Sequence, residues 1–416
     1  MRPIQSFVIV GAGLAGAKAA EALRDVGFDG DITLIEAEAR RPYGRPPLSK
    51  DYLQGNATID KVFVHAEAWY TQHRVDLHLS TTVSAVDRRA HEVVASSGER
   101  LRYDKLLLAT GSSPRRLTVP GADLDNVLYL RTLEDSDRMK QALAPGIRVV
   151  VIGAGWIGLE TAAAARAAGA DVTVLVNAEL PLLRVLGSQI ARVFADLHRD
   201  HDVDLRCGVS VTGIRSTAHG SSVAAVTLAE GTEVPADLVI VGIGAIPNIE
   251  LASASGVQTD NGIVVDQQLR TSDPDVHAAG DIANAYHPFL AKHLRVEHWA
   301  NALHQPAIAA DAMIGGRSSY ERLPYFFTDQ YDLGMEYTGY VEEPNETGSV
   351  VIRGDLSARE FIAFWMHDRR VLAGLTVNIW DVTGPIEQII RSRAEVDRDR
   401  LADPDISLDE LLNRPS

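Results

Sequence analysis

The fold is decided by the stretch Val8-Ile9-Val10-Gly11-Ala12-Gly13-Leu14-Ala15-Gly16, near the start of the chain. Its apolar run ends in Gly-x-Gly-x-x-Gly and leads into an alanine-rich segment, which predicts a strand, a tight turn and a helix. In such a unit the glycines let the backbone approach a pyrophosphate, and the helix start offers free N–H groups to it. The next apolar segment ends at Glu36, about 20 residues after Gly16, where an acid is expected to bind a ribose hydroxyl. We therefore predict a dinucleotide site here rather than an ordinary glycine-rich turn.

A second stretch, Val149-Val150-Val151-Ile152-Gly153-Ala154-Gly155-Trp156-Ile157-Gly158, repeats this pattern and is followed by another alanine-rich segment. Two such units predict two dinucleotide sites, one for a tightly held cofactor and one for an exchangeable cofactor. The alternative is a duplicated fold in which one site is inactive. Each unit has a closing strand and turn, at Ala109-Thr110-Gly111 in the first unit and at Gly242 and Gly244 in the second.

Length and composition restrict the classes of protein that are possible. A chain of 416 residues suggests two or three domains, and a net charge of −16 disfavours binding to nucleic acid or to anionic membranes. We expect no membrane span, because no window of about 18 uninterrupted apolar residues occurs. We also expect no signal peptide, because the first strand begins so early. The single cysteine, Cys207, excludes an intramolecular disulfide and a Cys-x-x-Cys redox centre, and it fits a cytoplasmic location.

Longer motifs are more specific than the two glycine patterns. They are Arg41-Pro42-Tyr43-Gly44-Arg45-Pro46-Pro47-Leu48-Ser49-Lys50, Leu130-Arg131-Thr132, Ala279-Gly280-Asp281, Arg295-Val296-Glu297-His298-Trp299-Ala300-Asn301-Ala302 and Thr328-Asp329-Gln330-Tyr331. With the glycine patterns, they make the chain resemble, over essentially its whole length, the FAD-dependent NAD(P)H ferredoxin reductases of the putidaredoxin reductase and rhodocoxin reductase type. Members of this family serve bacterial haem monooxygenases and ring-hydroxylating dioxygenases.

The expected fold is α/β, with two Rossmann-like dinucleotide-binding domains arranged as in glutathione reductase and a C-terminal α+β domain. We expect residues 1–112 and 247–322 to form the FAD-binding domain, 113–246 the NAD-binding domain, and 323–416 the C-terminal reductase domain. Alternating hydrophobicity predicts strands at 349–354, 360–366 and 371–377, and a short helix is expected near 407–412. Around Gly280 and Asp281 we expect a strand, a glycine turn and the start of a helix.

The resemblance also implies which residues contact FAD. Lys50 is expected beside the flavin N5 region, paired with Glu160, so that its charge stabilises negative charge on the reduced flavin. A helix starting near Trp299 is expected to direct its N-terminal dipole at the flavin N1–C2=O edge. From spacing alone, Lys50 and Glu160 would be an ordinary surface ion pair that contributes little. Lys50 and Glu160 are the predicted catalytic residues. The predicted FAD contacts are Gly11, Gly13, Ala15, Gly16, Glu36, Arg45, Lys50, Val83, Ala109, Thr110, Gly111, Arg131, Gly280, Asp281, Glu297, His298 and Trp299.

The second glycine pattern is expected to bind the nicotinamide dinucleotide, but the sequence departs from the family at one position. Aligning 172–176 with 32–36 places Val176 where relatives that prefer NADH usually carry an acid. That acid binds the ribose 2′-hydroxyl and repels a 2′-phosphate, so discrimination against NADPH is expected to weaken while NADH stays the better donor. The predicted NAD contacts are Gly153, Gly155, Trp156, Ile157, Gly158, Glu160, Asn177, Arg184, Gly242 and Gly244.

We therefore expect an oxidoreductase that takes a hydride from NADH and passes single electrons to a [2Fe–2S] ferredoxin, which supplies a cytochrome P-450 or a ring-hydroxylating dioxygenase. The alternatives are a rubredoxin reductase, an NADH oxidase, and a redox-sensing flavoprotein similar to apoptosis-inducing factor. The protein would be a monomer or homodimer, without nucleic-acid or membrane partners.

Three further expectations concern the surface and the last domain. An acidic ferredoxin would dock on an arginine pair, and the candidates are Arg40-Arg41, Arg115-Arg116 and Arg369-Arg370. No metal site is expected, because the spacing of His287, His293, His298 and His304 matches no compact zinc motif. Phe327 stands where relatives often place tryptophan, which puts any partner-side role of an indole in doubt.

Overall fold

The structure is a computed structural model that describes residues 5–218, 220–344 and 350–412. The chain forms two compact units, each assembled from separate stretches of sequence. Unit 1 contains the residues up to Pro46, Ala57–Ser113 and Ala245–Arg322. Unit 2 contains Pro47–Asn56, Pro114–Gly244 and the residues from Leu323 onward. The short segment that carries Lys50 therefore belongs to unit 2, whereas the sequence alone groups it with segment 1–112. The four-segment division itself stays a prediction.

Strands and helices follow one another as two strand–helix–strand units require. The strands are β1 Ser6–Val10, β2 Asp31–Ile35, β3 Val75–His78, β4 Val83–Asp87, β5 Glu92–Ala95, β6 Arg100–Arg102, β7 Lys105–Leu108, β8 Ser112–Pro114, β9 Val127–Tyr129, β10 Arg148–Ile152, β11 Asp171–Val176, β12 Asp204–Cys207, β13 Val211–Ser216, β14 Val223–Leu228, β15 Glu233–Pro235, β16 Leu238–Val241, β17 Ala245–Pro247, β18 Ile263–Val265, β19 Val276–Ala278, β20 Ala283–His287, β21 Lys292–Leu294, β22 Tyr325–Gln330, β23 Leu333–Gly339, β24 Val350–Asp355, β25 Glu360–His367 and β26 Arg370–Val377. The α-helices are α1 Leu14–Asp25, α2 Asp51–Gln54, α3 Glu67–Gln72, α4 Leu133–Ala142, α5 Trp156–Ala167, α6 Leu183–Asp200, α7 Glu250–Ala254, α8 Trp299–Met313, α9 Thr383–Ser392 and α10 Arg398–Ala402. Short 3₁₀ turns lie at Pro46–Ser49, Ile59–Lys61, Gly280–Ile282 and Leu408–Leu412.

Unit 1 is built around a parallel five-stranded sheet in the order β3-β2-β1-β7-β19. Strand β1 lies in the centre, and its residues Phe7 to Val10 are buried, which explains why this stretch is an unbroken apolar run. The strand order reverses between β1 and β7, so a ligand crevice is expected at the carboxyl ends of these two strands. Helix α1 starts at this edge and packs against α8.

Unit 2 repeats this plan with a parallel sheet in the order β12-β11-β10-β16-β9, with β10 in the centre. Helix α5 follows β10 directly and packs on β10 and β11. The repeat of strand, glycine turn and helix therefore produces two sheets with the same central order. The predicted α/β class with two Rossmann-like sheets is confirmed.

The C-terminal part of unit 2 is an antiparallel sheet in the order β22-β23-β26-β25-β24, with α9 packed on β23 and β26. One apolar core runs from this sheet to α5 and α6 within unit 2. In it the Trp156 ring lies 5.1 Å from Phe326 and 5.6 Å from Phe194, measured between ring centroids. The three predicted strands of this domain are confirmed as β24, β25 and β26, although Ser349 lies outside the described residues. The predicted helix near 407–412 is a 3₁₀ turn.

One local prediction is wrong. The sequence around Asp281 predicts a helix start, but Gly280–Ile282 is a single 3₁₀ turn that leads into strand β20. Gly280 has a φ of +80°, and Ala283-Asn284-Ala285 continues as a strand paired with β18 and β21, so the backbone hydrogen bonds are made within a sheet rather than a helix.

Among the described residues, none of the helices combines the length and the apolar character that a membrane span requires.

Candidate functional site

The first glycine turn lies in unit 1, between strand β1 and helix α1. Gly11 has a φ of +99°, and a Cβ there would lie 2.3 Å from the Ala109 carbonyl oxygen, so only glycine fits. A Cβ on Gly16 would lie 2.0 Å from the Gly11 oxygen, so this glycine allows α1 to pack closely. Gly13, the N-cap of α1, meets open space within the described residues. This cradle fits the pyrophosphate of a dinucleotide.

Glu36 lies beside this turn, as its place in the sequence predicts. Its Oε2 accepts a hydrogen bond from the Ala12 N–H at 2.6 Å, and its Oε1 accepts one from the Glu38 N–H at 3.1 Å. Burial raises the pKa of the Glu36 carboxyl above its ordinary value, and the two N–H donors oppose that effect. The carboxylate thus braces the glycine turn, and its contact with a ribose stays a prediction.

Asp281 lies in unit 1 at the carboxyl end of the first sheet. Its carboxylate accepts a hydrogen bond from the Ser112 hydroxyl at 2.7 Å. The neighbouring Gly280 N–H donates to the buried amide oxygen of Gln305 on α8 at 2.8 Å. Residues from three distant stretches of sequence are therefore held together at the edge where a ligand crevice is expected.

Helix α8 starts at Trp299, as the sequence predicts, and the Trp299 side chain is 37 % exposed. The preceding residue, His298, is its N-cap, and burial lowers the pKa of that imidazole to about 4, so it is neutral at pH 7. Glu297 forms an ion pair with Arg295 at 2.6 Å. The positive end of the helix dipole therefore lies next to a neutral imidazole.

The remaining predicted FAD contacts are distributed over both units. Arg45 in unit 1 forms an ion pair with Glu38 at 3.2 Å, and the Thr110 hydroxyl donates to the Asn248 carbonyl at 2.8 Å. Val83 is buried at the start of β4. Arg131 belongs to unit 2, where its N–H donates to the Asp135 carboxylate at 3.0 Å just before α4. Of the other three positions, Ala15 is buried on α1, and Ala109 and Gly111 lie in the turn after β7.

The second glycine turn, in unit 2, has the same geometry as the first. Gly153 has a φ of +100°, and a Cβ on it would lie 2.4 Å from the Gly242 oxygen. A Cβ on Gly158 would lie 2.2 Å from the Gly153 oxygen, whereas Gly155 and Gly244 meet open space within the described residues. Trp156 and Ile157 are the first residues of α5, and Ile157 is 46 % exposed. This second cradle also fits a dinucleotide pyrophosphate.

The strand register supports the alignment of Val176 with Glu36. Val10 pairs with Ile35 in the first sheet, and Ile152 pairs with Leu175 in the second, so the next residue in each unit is Glu36 or Val176. Val176 is buried and offers no carboxylate to the second glycine turn. Of the polar residues nearby, Asn177 and Arg184 are both exposed.

Lys50 and Glu160 are brought together in unit 2. The Lys50 ammonium lies 2.8 Å from Oε1 of Glu160, and the two side chains are only 13 % and 4 % exposed, so the ion pair implied by the resemblance is present and is not a surface pair. Glu160 also accepts hydrogen bonds from the Ser49 hydroxyl at 2.5 Å and from the Thr328 hydroxyl at 2.6 Å. The Lys50 ammonium lies 5.1 Å from the centre of the Phe327 ring.

Two donors to Glu160 were not predicted as site residues, namely Ser49 and Thr328. Ser49 precedes Lys50 in the motif, and Thr328 starts the Thr-Asp-Gln-Tyr motif, so the resemblance contained a signal for both.

Asp329, next to Thr328, also interacts with Lys50. Burial raises the pKa of the Asp329 carboxyl, and the positive charge of Lys50 opposes that effect.

The one thiol of the chain belongs to Cys207, on strand β12. Cys207 ends β12 and is half-buried, and burial raises the pKa of its thiol, which makes the reactive thiolate scarcer. Within the described ranges, no three His, Cys, Asp or Glu side chains gather in a way that would hold a metal ion.

Comparison with known families gives matches along nearly the whole chain. The pyridine nucleotide-disulphide oxidoreductase family matches residues 5–305, and the reductase C-terminal family matches residues 325–412.

Individual proteins match at similar length. Putidaredoxin reductase CamA of Pseudomonas putida is 39 % identical over 415 residues, which are 99 % of this chain and 98 % of that protein. The anthranilate 1,2-dioxygenase system ferredoxin–NAD(+) reductase component of Burkholderia cepacia is 40 % identical over 408 residues, 98 % of this chain and 99 % of that one. A crystal structure of a covalent putidaredoxin reductase–putidaredoxin complex matches with a TM-score of 0.94 and 39 % identity, covering 98 % of each chain.

The fully buried His198 predicts a loss of stability in acid. Burial lowers the pKa of its imidazole to about 4 from the ordinary 6.5. Between these values the unfolded chain binds a proton that the folded chain does not, so stability falls as the pH falls. Between pH 7 and pH 5, the free energy of unfolding of His198→Gln should therefore fall by about 2 kcal/mol less than that of the wild type. Urea unfolding midpoints measure this, with the exposed His367→Gln as control, and equal acid losses in wild type and His198→Gln would contradict the prediction.

Proposed function

The chain belongs to the ferredoxin reductases of the pyridine nucleotide-disulphide oxidoreductase family, and on this premise we propose that it oxidises NADH and reduces a [2Fe–2S] ferredoxin of an oxygenase system. The balance is one NADH and two oxidised ferredoxins giving NAD⁺, a proton and two reduced ferredoxins. The protein is an oxidoreductase, and its family uses FAD and a nicotinamide dinucleotide.

The two glycine cradles support the assignment of two dinucleotides. We assign FAD to the turn of Gly11, Gly13 and Gly16, and the nicotinamide dinucleotide to the turn of Gly153, Gly155 and Gly158, in agreement with the resemblance. Bound FAD supplies the redox chemistry, since a flavin accepts two electrons as a hydride and returns them singly. The chain's own residues would bind and orient the two dinucleotides and would stabilise charge on the flavin.

The observation that carries the proposal is the buried pair of Lys50 and Glu160. An ammonium held at 2.8 Å from a carboxylate that is 4 % exposed is a fixed positive group, not a mobile surface charge. Placed beside the flavin N5 region, Lys50 would stabilise the negative charge that develops as the hydride arrives, and Glu160 would keep Lys50 in place. The exposed start of α8 at Trp299 would act on the same charge through its dipole.

The electron acceptor follows from the family and from cysteine usage. Disulfide reductases of this superfamily need a redox cysteine pair, and the sequence holds one cysteine, Cys207. The named relatives of matching length are reductases of ferredoxins in oxygenase systems, so the rubredoxin reductase, NADH oxidase and redox-sensor alternatives are not favoured.

Anaerobic reduction of a purified [2Fe–2S] ferredoxin, with catalytic amounts of FAD-loaded enzyme and NADH as donor, tests this function. The wild type should bleach the ferredoxin with a stoichiometry of two per NADH. Lys50→Met should slow enzyme reduction by NADH at least about tenfold, which is a loss of about 1.4 kcal/mol of transition-state stabilisation.

The control is Lys105→Met, which removes a lysine paired with Asp275 at 2.6 Å elsewhere in the chain. It should behave as the wild type. Turnover with oxygen or rubredoxin but not with any of a panel of [2Fe–2S] ferredoxins would overturn the proposal, as would an unchanged rate in Lys50→Met.

The choice between NADH and NADPH is set by Val176 in this proposal. We expect NADH to give the higher kcat/KM, with modest discrimination, because the acid that would repel a 2′-phosphate is missing. Val176→Glu should lower kcat/KM for NADPH about tenfold relative to NADH, since its carboxylate would occupy the place that Glu36 has in the first unit. Steady-state kinetics with both donors measure the ratio. A wild type that prefers NADPH, or a ratio unchanged in Val176→Glu, would contradict this expectation.

A further inference from the structure

A series of buried polar side chains extends from the Lys50–Glu160 pair into the interior of unit 2. The Thr328 hydroxyl contacts Glu160 Oε1 at 2.6 Å, and the Gln330 amide nitrogen contacts the Thr328 oxygen at 3.2 Å. The Gln330 amide oxygen lies 2.9 Å from Nε2 of His198. Glu160, Thr328, Gln330 and His198 are 4 %, 0 %, 1 % and 0 % exposed. The proposed function uses only the first of these residues.

The local periodicity of three elements produces this series. Along strand β22 every second side chain faces the same way, so Thr328 and Gln330 project from one face toward the helices. On α6, His198 lies one turn after Phe194, which belongs to the apolar layer with Trp156 of α5. Glu160 lies one turn after Trp156. Trp156, Phe194 and Phe326 therefore form an apolar layer between these elements. One helical turn or two strand residues further along, Glu160, His198 and Thr328 form a polar layer.

The directions of the hydrogen bonds follow from the charge on Glu160. With the Lys50 ammonium at 2.8 Å, Glu160 is an ionised acceptor, so Thr328 must use its only proton to donate to it. Gln330 must then donate to the Thr328 oxygen through its NH₂ group, which turns its carbonyl oxygen toward His198. Because that oxygen only accepts, His198 must carry its proton on Nε2.

The contacts of His198, at the end of the series away from Glu160, agree with these hydrogen-bond directions. The neutral His198 ring then has an acceptor at Nδ1, and the Tyr331 hydroxyl lies 3.4 Å from it in a position to donate. The Tyr331 ring stacks on His201 with the centroids 3.8 Å apart. Burial lowers the pKa of His198, which keeps the ring neutral at pH 7.

We propose that Thr328, Gln330 and His198 are positioning residues that hold the Glu160 carboxylate, and through it the Lys50 ammonium, in one orientation toward the flavin. The inference deepens the proposed function and rests on the role given there to Lys50. Every link donates toward Glu160, so the Nε2–H tautomer of His198 fixes the Gln330 amide, the amide fixes the Thr328 hydroxyl, and the hydroxyl fixes the carboxylate.

This series is not a path for protons. A proton crossing it would have to pass through the Gln330 amide, whose nitrogen and oxygen do not exchange protons readily at neutral pH. The amide therefore passes on orientation and blocks proton transfer. The one proton that the overall reaction releases for each NADH must leave by another route.

The flavin midpoint potential distinguishes positioning from packing. If Thr328→Val frees the carboxylate, Lys50 spends less time at its place and the reduced flavin is less stabilised. We expect the equilibrium ratio of reduced to oxidised flavin to fall about tenfold, which is about 30 mV for a two-electron couple. Thr328→Ser keeps the hydroxyl and should restore the wild-type potential. Dye equilibration under anaerobic conditions gives these values on the FAD-loaded protein.

The chain offers a matched control in the same sheet. Thr376 on β26 is 2 % exposed, and its hydroxyl has no hydrogen-bond partner among the described residues. Thr376→Val should leave the potential unchanged, although it makes the same replacement at an equally buried site. At the other end, His198→Leu should lower the potential, and His198→Gln, whose amide can still donate to Gln330, should not.

A second measurement needs no bound cofactor. In protein labelled with ¹⁵N-histidine, long-range ¹H–¹⁵N spectra separate the two neutral tautomers, and comparison with His198→Gln assigns the signal among the 13 histidines. We expect His198 to be neutral with its proton on Nε2 at pH 7.

The outcomes separate the inference from the proposed function. Equal potentials in wild type, Thr328→Val and His198→Leu would overturn the inference, as would an equal fall in Thr376→Val or the Nδ1–H tautomer of His198. Failure of the wild type to bind FAD or to reduce any ferredoxin would instead overturn the proposed function, and the tautomer would still show whether the hydrogen bonds run as deduced.

Discussion

The arrangement of unit 2 depends on how one buried carboxylate is compensated. Glu160 is 4 % exposed, and an uncompensated carboxylate at such a depth would cost several kcal/mol. Its charge is met by the Lys50 ammonium and by hydroxyl donors from Ser49 and Thr328. These groups come from the 47–56 segment and from the C-terminal sheet, while Glu160 itself lies on α5 behind the second glycine turn.

This compensation joins parts of the chain that are far apart in sequence. The segment with Lys50 groups with unit 2 although it follows the first sheet directly, and the C-terminal sheet shares an apolar core with α5 and α6. The apolar contact of Trp156 with Phe326 and the polar contact of Glu160 with Thr328 lie on the same pair of elements. Packing therefore fixes the distance between α5 and β22, and the hydrogen bonds fix the orientation of the charge.

The sequence predicts the two sheets well, because their information is local. An apolar run, a glycine turn and an alanine-rich helix specify each unit, and the register of Val10 with Ile35 and of Ile152 with Leu175 follows from them. The glycines are predictable for the same reason, since a Cβ at Gly11 or Gly153 would overlap a carbonyl oxygen.

Other features of the structure could not be predicted from local sequence patterns. The 3₁₀ turn and strand after Asp281 replace the predicted helix, because strands β18 and β21 supply partners that only the folded chain brings there. The burial of Lys50 and Glu160 could not follow from their spacing, which suggested a surface pair, and it was the resemblance that indicated otherwise. His198 had no sequence signal, because a histidine on an amphipathic helix gives no sign of its partner on a strand more than a hundred residues away.

The proposed activity requires that this chain bind FAD and that NADH reduce the bound flavin. An anaerobic absorbance titration of the purified protein, loaded with FAD, measures both. We predict that the visible flavin band bleaches in proportion to added NADH and is lost at one NADH per flavin, within the dead time of manual mixing. A protein that takes up no flavin, or a flavin band that stays unbleached by excess NADH, would contradict the proposed function.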